Sequence, residues 1–191
     1  MKSVLVTGGA GFIGSNFIRF LLENEKDVQV VNLDALTYAG SLENLNDLPD
    51  ANRHHFVQGD ICNGALVNEL MHRYLIDTIV HFAAETHVDR SILGPGQFVQ
   101  TNIIGTYTLL EAARQTWLTE KLLPVESVRF HHISTDEVFG TLEPGDPPFS
   151  ESTPYSPRSH YAASKASSDQ LVRGYHHTYG LPVSITNCTN N

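Results

Sequence analysis

Thr7-Gly8-Gly9-Ala10-Gly11-Phe12-Ile13-Gly14 follows directly on the apolar run Val4-Leu5-Val6, and Asp34 ends the next apolar run. A strand, a glycine turn opening a helix and an acid about 20 residues further on form the dinucleotide-binding fingerprint. Two spacings fit equally well, Gly8-x-x-Gly11-x-x-Gly14 and Gly9-x-Gly11-x-x-Gly14. Gly11 has no Cβ to keep the backbone from a pyrophosphate, and Gly14 lets the helix pack close to the strand. The helix N-terminus offers free N–H groups and a partial positive charge to the phosphates. Asp34 would accept hydrogen bonds from both ribose hydroxyls and repel a 2′-phosphate, which favours NAD over NADP as the cofactor.

The rest of the chain suits this reading. Its 191 residues make one domain with a sizeable core, and 12 basic against 21 acidic residues give a formal net charge of −9. No basic stripe points to a nucleic-acid partner, and no apolar stretch reaches the ~20 residues that span a membrane. Cys62 and Cys188 suggest neither a disulfide framework nor a zinc knuckle, so a reducing cytoplasm is the expected location.

Short β-branched runs alternate with longer helical patterns, as in a doubly wound parallel sheet. Strands are expected over Lys2–Val6, Gln29–Leu33, His55–Gln58, Thr78–His81, Ser127–Ile133 and Val183–Asn187. Helices are expected over Gly11–Glu23, Gly64–Tyr74, Pro95–Gln115 and Ser159–Tyr179. Ile18, Leu21 and Leu22 give the first helix its apolar face. In the third, Ile103, Tyr107 and Leu110 share one face while Ile104 and Leu109 point to either side. So wide an apolar arc is expected to be covered by the sheet and by a second copy of the chain. The proline-rich segment Thr141–Pro157 reads as a long functional loop.

Three groups of residues carry chemistry. Tyr161 and Lys165 lie four apart on one helix face, where the ammonium is expected to lower the phenol's pKa from about 10 and make it a base. Ser134-Thr135-Asp136-Glu137 ends the fifth strand, at the side of the sheet where ligands bind, and sets two carboxyl groups there for acid and base work. After the fourth strand, the small residues Ala83 and Ala84 would let a cofactor pass close to the backbone, and Thr86 would face the crevice. His81 reads as a structural histidine, and no grouping of histidines predicts a metal site.

Taken with Asp34-Ala35-Leu36-Thr37-Tyr38-Ala39-Gly40, Ser134–Gly140, Tyr161–Lys165 and Thr186–Asn191, these motifs resemble the N-terminal part of the dTDP-glucose 4,6-dehydratases, a family of extended short-chain dehydrogenases/reductases. The resemblance runs from end to end of the chain, with Phe139 standing where the family has tyrosine. It implies a Rossmann-type NAD(P)-binding domain over residues 1–191, with the C-terminal sugar-nucleotide portion lying beyond it. It implies NAD-dependent loss of water from dTDP-glucose, as in deoxysugar and rhamnose synthesis, by a homodimeric hydro-lyase. Tyr161 is then the base at the C4 hydroxyl, with Thr135 holding that oxygen and Lys165 tuning the tyrosine. Glu137 removes the C5 proton and Asp136 protonates the leaving C6 hydroxyl. The same resemblance places Phe12, Ile13, Asp34, Ala35, Leu36, Thr37, Asp60, Ile61, Phe82, Thr101 and Asn191 at the cofactor, and Thr86 and Asn190 at the sugar.

Two other readings remain open. Sugar-nucleotide 4-epimerases and decarboxylases share the glycine turn and the Tyr161/Lys165 pair but have no need of Asp136-Glu137. A non-catalytic NAD-binding module would have no need of Thr135, Tyr161 and Lys165 together.

Overall fold

The computed structural model describes residues 1–189. Six strands form one wholly parallel sheet in the order β3-β2-β1-β4-β5-β6. They are β1 (Ser3–Thr7), β2 (Gln29–Asp34), β3 (His54–Gln58), β4 (Thr78–His81), β5 (Arg129–Thr135) and β6 (Val183–Cys188). Helices α1 (Phe12–Asn24), α2 (Gly64–Arg73), α5 (Thr106–Ala113) and α6 (His160–Tyr179) connect them, with the short α3 (Val88–Leu93) and α4 (Pro95–Phe98) after β4. This is the expected doubly wound Rossmann-type sheet.

The run Val4-Leu5-Val6 of β1 is apolar without a break because both faces of the sheet are covered. Leu5, Val31 and Leu33 pack in one layer with Leu70, Leu109 and Trp117. Val4, Val6 and Val30 turn to the opposite layer with Ile18, Leu21 and Leu22, the apolar face expected of α1. The chain winds from β1 out to β3 and crosses back to β4 on the other side of β1. The strand order therefore reverses between β1 and β4, and a crevice opens beyond their carboxyl ends.

One helical expectation is corrected. Residues 95–119 are helical throughout, but α5 is flanked by two π-helical turns, Val99–Gly105 and Arg114–Thr119. A π turn takes an extra residue and shifts the phase of the faces that follow. Ile103, Tyr107 and Leu110 therefore do not share a face: Leu110 is fully buried, Ile103 half-buried and Tyr107 exposed. Val99, Ile104 and Tyr107 are left on the surface, 49%, 41% and 46% exposed. Helix α3 was not expected, and its short span explains that. The proline-rich loop before α6 has no helix or strand. No described helix is long and apolar enough to cross a membrane.

Candidate active site

The crevice at the switch point is a cleft of about 500 Å³, walled by residues from the carboxyl end of every strand. Its floor is the glycine turn between β1 and α1. Gly8 has φ +72°, and a Cβ on it would lie 2.7 Å from the Ala83 nitrogen; one on Gly14 would lie 2.3 Å from the Gly8 carbonyl oxygen. No side chain could be fitted at either position. Gly8 lines the cleft while Gly9 packs against Asn32 and Ile18, so the spacing Gly8-x-x-Gly11-x-x-Gly14 shapes the cradle.

At Gly11 an added Cβ would have the Gly8 carbonyl oxygen 3.3 Å away and otherwise only the Ala39 oxygen at 4.0 Å, so a side chain there would occupy cleft space. Gly11 is also the N-cap of α1 and offers no side chain to its amides, while Phe12 and Ile13 line the cleft as the helix opens. Open amides, a helix dipole and a missing Cβ together fit a diphosphate.

Asp34 sits nearly buried at the end of β2 and accepts from the Ala10 amide through Oδ2 and the Leu36 amide through Oδ1, both at 2.8 Å. The carboxylate is held rigidly against the cleft and keeps lone pairs for a ribose. Ala35 and Thr37 line the wall beside it, and Asp60 and Ile61 extend the wall from β3. Phe82, Ala83, Ala84 and Thr86 come from the end of β4, and Thr101 from the first π turn. Leu36, expected at the cofactor, has φ +53° and is not among the residues of the wall.

The other end of the cleft carries the reactive groups. Thr135 ends β5, and its Oγ1 accepts from the Glu137 amide at 3.2 Å, capping the 3-10 turn Asp136–Phe139. Thr135, Glu137, Tyr161 and Lys165 all line the cleft. Asp136 stands beside it, its Oδ1 3.4 Å from the Thr135 hydroxyl. Burial, helped by the neighbouring Asp136 charge, raises the Glu137 carboxyl above the usual carboxylate range. Tyr161 lies in the first turn of α6, which Ser159 caps, and its ring packs edge-on to Phe98 with centroids 6.5 Å apart.

The expected lowering of the tyrosine's pKa is corrected. Burial, then the Glu137 carboxylate, push the Tyr161 phenol up to about 12. The Lys165 Nζ donates to the Ile133 carbonyl at 2.7 Å. Burial in turn lowers Lys165 to about 8.

The cleft also has residues given no site role from the sequence: Gln97, and Cys188 and Thr189 of the Thr186–Asn191 motif, line it. Asn102 is buried in the π turn and ties three groups together. Its Oδ1 accepts from the Glu85 amide (2.8 Å), and its Nδ2 donates to the Glu85 carbonyl (2.9 Å) and to Ser164 Oγ (2.8 Å). It thus clamps the segment after β4 to α6, next to Tyr161 and Lys165. No sequence signal marked it, since Gln100, Thr101 and Thr106 are polar in the same stretch. Asn190 and Asn191 lie outside the described residues. His81 is buried, with Thr7 Oγ1 at 2.7 Å and Thr106 Oγ1 at 3.0 Å from its two ring nitrogens, the structural role expected of it. Among the described residues, no three His, Cys, Asp or Glu side chains are grouped to hold a metal ion.

Residues 5–191 match the family model described as GDP-mannose 4,6 dehydratase. The chain is 57% identical to a dTDP-glucose 4,6-dehydratase of Xanthomonas campestris pv. campestris (strain B100), over all of this chain and 54% of that protein. Among solved structures it is similar to a dTDP-glucose 4,6-dehydratase from Streptomyces venezuelae with NAD bound, with TM-score 0.87 and 46% identity, covering 97% of this chain and 55% of that one. It is also similar to a UDP-glucose 4-epimerase from Brucella ovis in complex with NAD, with TM-score 0.84 and 27% identity, covering 100% and 52%. The chain spans about half the length of the curated relatives it matches.

Proposed function

Because this chain belongs to the GDP-mannose 4,6-dehydratase family, we propose that it is the cofactor-binding and catalytic part of an NAD-dependent enzyme that removes water from dTDP-glucose to give the 4-keto-6-deoxy sugar. The observation that carries this reading is Glu137, with Asp136 beside it, in the same cleft as Thr135 and Tyr161. An epimerase needs the tyrosine and lysine but has no use for an acid and a base at C5 and C6. A C-terminal portion like that of the longer relatives would complete the sugar-nucleotide pocket around Thr86 and Asn190. We assign the protein to the cytoplasm on the strength of its two free thiols.

NAD, when bound on the Gly8–Gly14 turn with its ribose at Asp34, supplies the hydride acceptor and later donor that the reaction requires. Asn191 belongs to the same cofactor assignment. Tyr161 takes the proton of the C4 hydroxyl while Thr135 Oγ1 holds that oxygen. The C4 ketone then acidifies the C5 hydrogen, and Glu137 removes it; a raised pKa makes this carboxylate a stronger base. In its protonated form Asp136 would give a proton to the departing C6 oxygen, and water is lost.

Incubation of the purified protein with dTDP-glucose tests the reading, the expected product being lighter by one water. An isomer of unchanged mass would favour the epimerase, and no product at all would remove the assignment. Asp34 predicts a further result. Its carboxylate has no basic side chain bonded to it among the described residues, so a 2′-phosphate would meet an unopposed charge. Calorimetry should show NAD binding more tightly than NADP, and equal affinities would count against the role of Asp34.

We also assign the protein to a homodimer that joins through the helical stretch Pro95–Gln115 and the Ser159–Tyr179 helix. Val99, Ile104 and Tyr107 leave an apolar strip on the surface next to α6, which an isologous pairing would cover. Light scattering at micromolar concentration should give twice the monomer mass, and a monomer would be the contrary result.

A further inference from the structure

Asp169 lies one helical turn beyond Lys165 on α6, and its carboxylate is completely buried. Ser134 Oγ at 2.8 Å and Tyr155 Oη at 2.9 Å both donate to Oδ2. Oδ1 has no donor; His132 Nε2 is 3.2 Å away but not aligned for a hydrogen bond. A carboxylate with two of its lone pairs filled and the rest facing protein takes up a proton unless a positive charge is near. The buried cation on the same helix is Lys165, four residues back and beyond direct ion-pair contact, and its ammonium has one acceptor, the Ile133 carbonyl.

We propose that Asp169 is a positioning residue for the proton-transfer pair: its carboxylate is the counter-charge that keeps Lys165 an ammonium, and through Ser134 and Tyr155 it fixes the surroundings of that ammonium. Ser134 precedes Thr135 at the end of β5, and Tyr155 comes from the proline-rich loop. The same carboxylate therefore joins the catalytic strand, the catalytic helix and the loop between them. Tyr155 is further held by the Phe139 ring, edge-on with centroids 5.2 Å apart, and by the Arg173 guanidinium 4.8 Å above its own ring. The inference rests on the roles given to Tyr161 and Lys165 under the proposed function.

Other titratable groups surround the pair, Tyr161 among them, whose phenol the Asp169 charge pushes up after burial and Glu137. Toward Lys165, His81 comes from β4, His132 from β5 and Cys188 from β6. Burial holds both histidines neutral, so neither supplies a competing charge. Toward Asp169 there are His132, Tyr155 and, on its own helix, Lys165 and Arg173. Arg173 lies on the exposed side of α6, where solvent screens it. Burial pulls Lys165 down and the Asp169 charge opposes that pull.

The test is a titration that uses no substrate. In protein labelled with ¹³C at the lysine ε carbons, the Lys165 signal is the one missing from Lys165→Met. In Asp169→Asn the midpoint of that signal should fall by about one pH unit or more, and Asp169→Glu should restore most of the shift. The amide of asparagine can still accept from Ser134 and Tyr155, so this variant removes charge while keeping shape. Tyr155→Phe removes a donor and leaves the charge, and should move the midpoint much less. An unchanged Lys165 midpoint in folded Asp169→Asn would overturn the proposal. Should that variant fail to fold, the carboxyl ¹³C signal of Asp169 in the unmutated protein decides: ionised at neutral pH supports the counter-charge, and protonated overturns it. Failure to convert dTDP-glucose would remove the proposed function but leave these readings in force, because neither uses the sugar.

Discussion

Changing Tyr161 to phenylalanine is expected to slow C4 oxidation by about 10²–10⁴ while leaving NAD binding close to unchanged. The variant removes only the phenol oxygen. The ring keeps its edge-on contact with Phe98 at 6.5 Å, and the first turn of α6 keeps its Ser159 cap, so the cleft retains its shape. The base is the ionised phenol, so the rate should rise with pH until that group has lost its proton. Burial and Glu137 set that point at about 12, and two positive charges can bring it down, the oxidised nicotinamide and the Lys165 ammonium. Lys165→Ala should therefore slow the same step and weaken cofactor binding as well. Rapid mixing with dTDP-glucose reads both variants through the absorbance of reduced nicotinamide. The unmutated protein should give a transient and Tyr161→Phe none. Normal turnover by Tyr161→Phe would require another base, and the mechanism would have to be withdrawn.

How much of this was legible in advance depended on how local the cause was. The glycine turn was, because the positive φ of Gly8 belongs to the turn itself and Gly14 is crowded by Gly8 and Gly9 of that turn. The alternation of Val4, Leu5 and Val6 between two core layers was legible too, since a period of two is a property of any strand covered on both faces. The π turns at Val99–Gly105 and Arg114–Thr119 were not. They depend on what the helix must pack against, such as Asn102 reaching both Glu85 and Ser164, and periodicity alone assumes an unbroken helix. The direction of Lys165 was hidden for the same reason. Four-residue spacing places it near Tyr161, but the Ile133 carbonyl that holds its ammonium comes from β5. Asp169 passed as an ordinary polar position on a helix because its partners, Ser134 and Tyr155, arrive from a strand and a loop.

Glu137→Gln should separate the two halves of the reaction. Oxidation at C4 needs Tyr161 and Thr135, and neither depends on a carboxylate at residue 137; the Thr135 hydroxyl accepts from the backbone amide of that residue, which glutamine keeps. The variant should even ease the first half, since the Glu137 charge is one of the causes that raise the Tyr161 phenol. Loss of the C5 proton is different. Glutamine cannot accept it, and the loss of a general base costs about 10²–10⁴ in rate. The 4-keto sugar and reduced cofactor should accumulate together on the protein, visible as a lasting absorbance of reduced nicotinamide where the unmutated protein shows a transient. The pH dependence of the elimination gives a second reading. Burial and the Asp136 charge raise the Glu137 carboxyl, and the base is its ionised form. Elimination should therefore fall away on acidification at a higher pH than an ordinary carboxylate would allow, and the slow residual reaction of Glu137→Gln should lack that acid limb. Product formation at the unmutated rate, with the limb intact, would move the base to another residue and detach Glu137 from the chemistry.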